Sequence, residues 1–449
     1  MQKQIFTLLF VAATLFTSQS CSNMSGKNTE TSMNSAIPAL LDNPLTSGKV
    51  EEWEELLTNY DKAVAGLQKN PDALDQYIVL AQVFITEARL TGNNSYYNQA
   101  AIKMLDNILS SEKKDKDLEF QALTLKSGVL LSMHQFEDAL TAANAAYAIS
   151  NHNAQLIGAL VDANVELGNY AKAVEYCDMM MQLRPDIRSY SRVSYLRQIY
   201  GDNAGAIDAM KMAVESGLPG AESTEWARVI LGDLLLMNGD LKNAEICYST
   251  ADGLRENYAY AKAGMGRLEK AKKNYDAAIQ YTEAAITIMS DVSFVNQLAD
   301  IYALKGNTEK AAEIRDDVLD ILKDGEKEQN KSDVAFKHNG ARELAYAYMQ
   351  NDKLEDAYTF AKKDISTRPE NIDANELAAW IAYLSGDYAA AKTYADNMLK
   401  TKVKNPATLY KAGMIYKQSG NGAMAETLMQ EAVAMNPNIA AQINTLVSK

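Results

Sequence analysis

Gly168-Asn169-Tyr170-Ala171-Lys172-Ala173-Val174 sets a turn glycine, a large ring two residues on and a small alanine three further, and Pro185 closes the segment. Gly386-Asp387-Tyr388-Ala389-Ala390-Ala391 repeats the pattern far downstream. Working outward from Ala173, alanine returns at Ala139, Ala206, Ala244, Ala278, Ala311, Ala357, Ala391 and Ala425; in chain order the nine positions are 34, 33, 38, 34, 33, 46, 34 and 34 residues apart. The phase survives two insertions and resumes after each, which marks a structural repeat of about 34 residues.

The repeats share chemistry as well as spacing. Before the alanine stands Gly168, Gly201, Gly239, Gly306, Gly386 or Gly420, because a helix-to-helix turn needs a residue that takes positive φ cheaply. His134, Lys273 and Asp352 hold that place in the other three units. A large apolar side chain follows in most units, as at Phe136, Tyr170, Leu241, Tyr275, Leu354 and Tyr388. Pro185, Pro369 and Pro437 end their units, since proline has no amide hydrogen for a continuing helix. First helices carry a small residue at Ser127, Ser194, Gly232, Gly266, Ala299, Ala345, Ala379 and Gly413, with Val161 the exception.

Over roughly residues 115 to 437 the chain resembles the tetratricopeptide repeat family. The resemblance implies an all-α protein, a right-handed α-solenoid of about nine to ten helix-turn-helix repeats. Such units contact only their neighbours, so 449 residues form one quasi-linear body rather than several globular domains. Function does not follow from this scaffold, which hosts many unrelated roles, mostly protein recognition.

Residues 1–20 read as a signal peptide: Lys3 precedes an apolar run from Ile5 to Phe16, too short to span a bilayer. Small residues then lead to Cys21, and this resembles a bacterial lipoprotein processing site with Cys21 as the lipidated residue; an ordinary secretory cleavage nearby is the alternative. Residues 21–48, rich in Ser, Asn, Thr and Gly, are expected to form a flexible tether. The body then divides into a capping helix with a degenerate repeat (49–112), six repeats (113–323), a charged joint (324–337), three further repeats (338–437) and a capping helix (438–449). The Ser216 to Ser223 loop, with Gly217, Pro219 and Gly220, reads as a plain turn.

A formal net charge of -14 excludes the basic footprint that nucleic acid requires. His134, His152 and His338 stand far apart in sequence, none beside a cysteine or carboxylate at ligand spacing, so no metal or other cofactor is expected. Nor is there a phosphate-cradling glycine loop or a nucleophile elbow, and no catalytic activity is expected. Cys177 and Cys247 lie two repeats apart, too distant for a mutual disulfide, and read as small buried apolar groups.

Function is therefore expected on the concave face. The resemblance implies that first helices line it, and the residue after each small position supplies Tyr195, Asp233, Arg267, Asp300, Tyr346 and Trp380. Trp226, Tyr260, Arg342, Tyr383 and Tyr410 are expected beside them. Asparagine is missing from the row, which departs from the family's clamp for chaperone tails. Rings interleaved with single charges suit peptides or glycans. The expected role is a scaffold of the cell envelope, held to the membrane only through its N-terminal lipid and binding partner proteins or peptides, with glycan capture as the alternative.

Overall fold

The computed structural model describes residues 37–41, 50–331 and 336–447. The expected signal peptide and the expected lipidated Cys21 lie outside the described residues, as does most of the expected tether.

Twenty-two helices and no strands make up the described residues. Helix α1 (Val50–Lys69) leads, followed by the pairs α2 (Leu74–Thr91) and α3 (Asn94–Ser110), α4 (Lys116–Ser132) and α5 (Phe136–Ile149), α6 (Ala154–Glu166) and α7 (Tyr170–Leu183). Next come α8 (Ile187–Ile199) and α9 (Asn203–Glu215), α10 (Glu222–Met237) and α11 (Leu241–Leu254), α12 (Ala259–Ala271) and α13 (Tyr275–Ile288). The stack continues with α14 (Val292–Leu304) and α15 (Thr308–Lys331), α16 (Ala341–Gln350) and α17 (Leu354–Thr367), α18 (Ile372–Leu384) and α19 (Tyr388–Met398). Finally α20 (Pro406–Gln418) pairs with α21 (Gly422–Met435), and α22 (Ile439–Val447) ends the chain of helices by packing on α14 and α20. Each pair packs on the next, and the whole is an α-solenoid.

Local chemistry starts and stops these helices. Asn153 caps α6, Asn405 caps α20 with Pro406 in its first turn, and Asp186 with Ser189 forms a reciprocal box at the start of α8. All nine expected turn positions have a left-handed backbone, from Gly168 at φ 79° to the non-glycine His134, Lys273 and Asp352 at φ 57°, 64° and 59°. The nine phased alanines are at most 2 % exposed. A larger side chain there would push paired helices apart. Cys177 and Cys247 are buried and unbridged, and burial pushes both thiols up to about 11.

Three expectations need correction. Residues 37–41, expected within a flexible tether, dock on the first repeat: Tyr96 Oη donates to Ala39 O at 2.7 Å, Tyr60 Oη donates to Pro38 O at 2.9 Å, and Leu41 N donates to Tyr97 Oη at 3.0 Å. Aromatic hydroxyls satisfying an apolar segment's backbone make that docking stable. The charged stretch expected as a joint from residue 324 continues α15 as helix through Lys331. Leu344 and Ala347 of α16 then pack on Val318 and Leu319 of α15, so the stack runs on across it.

The third correction is larger, because units six apart touch as well as neighbours. Asn371 Nδ2 donates to Glu166 O at 3.0 Å, Ile372 N donates to Tyr170 Oη at 2.8 Å, and Asn203 Nδ2 donates to Lys404 O at 2.9 Å, over separations of 205, 202 and 201 residues. Arg255 pairs with Glu52 through two bonds of 3.0 and 2.6 Å across 203 residues. Ala139 and Ala357, six units apart, are separated by 218 residues, so contacts 201 to 205 residues apart join the turn of one unit to the loop entering the sixth unit on: the solenoid completes one superhelical turn in just under six repeats and rests its second turn on its first. The Ser216 to Ser223 loop takes part: Gly220 N donates to buried Glu225 at 2.8 Å, and Arg255 reaches Gly220 O at 3.4 Å.

Candidate functional site

Closing the superhelix turns the inner faces of the first helices toward one another. Tyr195 on α8 is 41 % exposed, yet the protein around it pushes its phenol well above the ordinary range, with Asp373 on α18 and Glu166 on α6 adding to the effect. Side chains of α6, α8 and α18 thus act on one another across the inner face. Farther along, burial pushes up the carboxyl of Asp300 on α14 against the pull of Lys270 on α12, Arg315 on α15 and Lys411 on α20. Burial likewise pulls the ammonium of Lys270 down. Tyr346 on α16 is pushed up by burial and by Asp300, and its oxygen accepts from Gln350 Nε2 at 2.8 Å.

Some of these charges brace the wall. Arg192 grips Asp162 with bonds of 2.8 and 2.5 Å, and Arg267 grips Asp233 with bonds of 2.9 and 3.0 Å. Asp233 also accepts from the buried Tyr248 hydroxyl at 2.6 Å, and that ring fills the space left by Gly232 and Gly264. Lys411 donates to Glu376 at 2.8 Å, and Thr408 bonds the other carboxylate oxygen. Asp233 and Arg267 thus hold neighbouring first helices together. Asp300 pairs with Arg315 at 3.3 Å.

Other groups remain available. Among the described residues, Lys270, Arg342 and Asp373 have no hydrogen-bond or ion-pair partner, and the Tyr195 hydroxyl is unbonded. Arg342 is exposed at the start of α16, and burial raises Asp373 against the pull of Arg342. Arg342, Asp373 and Tyr195 act on one another across α8, α16 and α18, and Lys270 stands farther along beside Asp300, each with its side-chain hydrogen-bonding capacity unused.

The expected aromatic row goes elsewhere. Trp380 is 5 % exposed, stacks on Tyr383 at 5.1 Å with an interplanar angle of 6°, and shares a core with Leu409, Ala412 and Tyr416. Tyr410 packs on the same core, and Trp226 packs on Val229 and Leu231. Tyr260 lies edge-on to Tyr258 and Phe294 at 5.5 and 5.7 Å, with its phenol pushed up to about 12 by burial. Of the expected site residues, Tyr195 comes near Arg342, and Asp300 near Tyr346. Arg192, Lys270, Asp373, Glu376 and Lys411 were missed. Arg192, Lys270 and Glu376 lie three or four positions from Tyr195, Arg267 and Trp380, and Asp373 seven from Trp380, spacings that put side chains on one helix face; one residue per helix was too narrow a reading of that face, while Lys411, directly after Tyr410, carried no such signal.

The histidines also need correcting. His134 and His338, distant in sequence, stand with ring centroids 4.6 Å apart, and His134 Nδ1 is 3.1 Å from Glu343 Oε1. Their 204-residue separation equals one superhelical turn, which no local spacing rule reveals.

Tetratricopeptide repeats are recognised at the family level over residues 130–200 and again over residues 406–439. Among curated proteins, none matches this sequence. Solved structures with similar architecture include a tetratricopeptide repeat protein of Thermus thermophilus, 18 % identical with a TM-score of 0.35 over 48 % of this chain and 100 % of that one. The human IFIT1 dimer with m7Gppp-AAAA is 15 % identical, with a TM-score of 0.45 over 85 % of this chain and 86 % of that one. Among the described residues, no helix is long and apolar enough to cross a membrane.

Proposed function

We propose that this chain is a non-catalytic scaffold of the bacterial cell envelope, anchored by a lipid on Cys21, that takes an extended peptide segment of a partner protein into its axial channel. The carrying observation is that the side chains of Tyr195, Arg342 and Asp373, on three different units, act on one another without a hydrogen-bond or ion-pair partner, with the unpaired Lys270 farther along. A peptide backbone supplies both donors and acceptors, and its side chains supply both charges, so an extended segment satisfies such groups one after another along the inner face. A sugar-binding groove needs open ring faces, whereas Trp226, Tyr260 and Trp380 spend theirs on packing.

A photoreactive side chain in place of Tyr195 tests the channel, with Leu218, 77 % exposed on an outer loop, as the control position. Cross-links to a partner from position 195 and none from 218 are expected. Labelling only from 218 would place the interface outside the channel. For the anchor, a fatty-acid analogue should label the wild type and miss Cys21→Ser; equal labelling of both overturns the lipid.

A further inference from the structure

The seam between the two superhelical turns brings three potential ligands together. His134 occupies the left-handed turn between α4 and α5, His338 lies in the segment entering α16, and Glu343 is in the first turn of α16. One ligand atom from each falls within 4.8 Å of the others. Both histidine segments are held in place: Asn339 N donates to Met133 O at 2.9 Å, Gln135 Nε2 bonds Lys337 O, and Phe136 stacks on the His134 ring at 5.6 Å.

The polar accounting is incomplete there. Glu343 Oε2 is buried without a hydrogen-bond partner, and His338 has no hydrogen bond among the described residues. An ion pair between His134 and Glu343 explains one carboxylate oxygen and one imidazole. It leaves the second oxygen and the second imidazole without a role, although leaving such a group buried and unpaired is costly.

We propose that His134, His338 and Glu343 form a three-ligand site for a divalent transition metal, zinc foremost, that clips the second superhelical turn to the first. Two imidazole nitrogens and one carboxylate oxygen are a borderline-soft donor set suited to zinc, while calcium and magnesium favour all-oxygen shells. Ligands at about 2.0 to 2.1 Å from a tetrahedral centre lie about 3.3 Å apart, so side-chain rotation has to close the remaining gap. The fourth position is left to water.

The test is calorimetric titration and thermal melting of the full chain after chelator treatment, with zinc and, separately, magnesium and calcium. One zinc per chain and a melting point raised by several degrees are expected, with no shift from the other two ions. His338→Ala keeps the His134–Glu343 pair, so it should fold and lose both the binding and the shift; Glu343→Gln should weaken zinc by about tenfold or more. Absence of stoichiometric zinc binding to the wild type overturns the proposal, as does binding that persists unchanged in His338→Ala.

Discussion

Gly168 and Gly386 occupy the same turn in different units, with φ of 79° and 80°. Any other residue costs about 1–2 kcal/mol in that conformation. At Gly168 an added Cβ would also overlap the backbone of Glu370 in the next superhelical turn, whereas nothing lies within 4 Å of Gly386. Gly168→Ala is therefore expected to lose about 1–3 kcal/mol more than Gly386→Ala in denaturant unfolding. Equal losses would mean that the two turns are not in contact. Glu87 is a second residue with a cost of its own. It is fully buried, accepts one long bond of 3.4 Å from Tyr97 Oη, and leaves Oε1 without a partner. Burial pushes its carboxyl from 4.5 to about 7. With a folded value above the unfolded one, its stabilising contribution is full below about pH 4.5 and is lost as pH rises through about 7. Glu87→Gln should therefore be more stable than the wild type at pH 8 by on the order of 1–3 kcal/mol, a gain that shrinks toward pH 5. A gain independent of pH would assign the effect to packing.

At the scale of the helix, packing decides what the rings do. A first helix of a solenoid has one stripe toward its partner helix and another toward the channel, and one residue's rotation around the helix axis moves a side chain from one to the other. Trp380 on α18 falls on the packing side, between α19 and α20, where Met398 and Leu409 complete its surroundings. Trp380→Ala is expected to cost about 3–5 kcal/mol, seen as a lowered melting point. An unchanged melting point, with loss of partner binding instead, would return the ring to the channel. Asp373 and Glu376, seven and four residues before Trp380, share its side of the helix, and Lys411, which donates to Glu376 at 2.8 Å, sets its ammonium 5.7 Å from the Trp380 ring.

Across the whole molecule, the contact between superhelical turns changes how stability is shared. A solenoid whose units met only their neighbours would have a stability close to a sum over units. Here Arg368, 1 % exposed, binds Asp364 through two bonds of 2.8 Å and reaches Glu166, 202 residues back, at 2.7 Å. Arg368→Leu strands two carboxylates and is expected to cost about 3–5 kcal/mol. Adding Glu166→Gln should recover part of that loss, and a double-mutant cycle in urea measures the coupling. Strict additivity of the two substitutions would show that the seam carries no energy.

The repeat itself was legible from the chain. Turn positions, phased alanines and unit boundaries are set by contacts within about 34 residues, where the need for positive φ or for a missing side chain leaves a residue-level mark, as at Gly168 and Ala173. The superhelix was not legible, because its pitch is the sum of small rotations over six units, and no single residue type encodes a sum. Only the tertiary structure decided that Gly168 meets Glu370, that Trp380 is buried while Tyr195 stays exposed, and that His134 comes to rest beside His338.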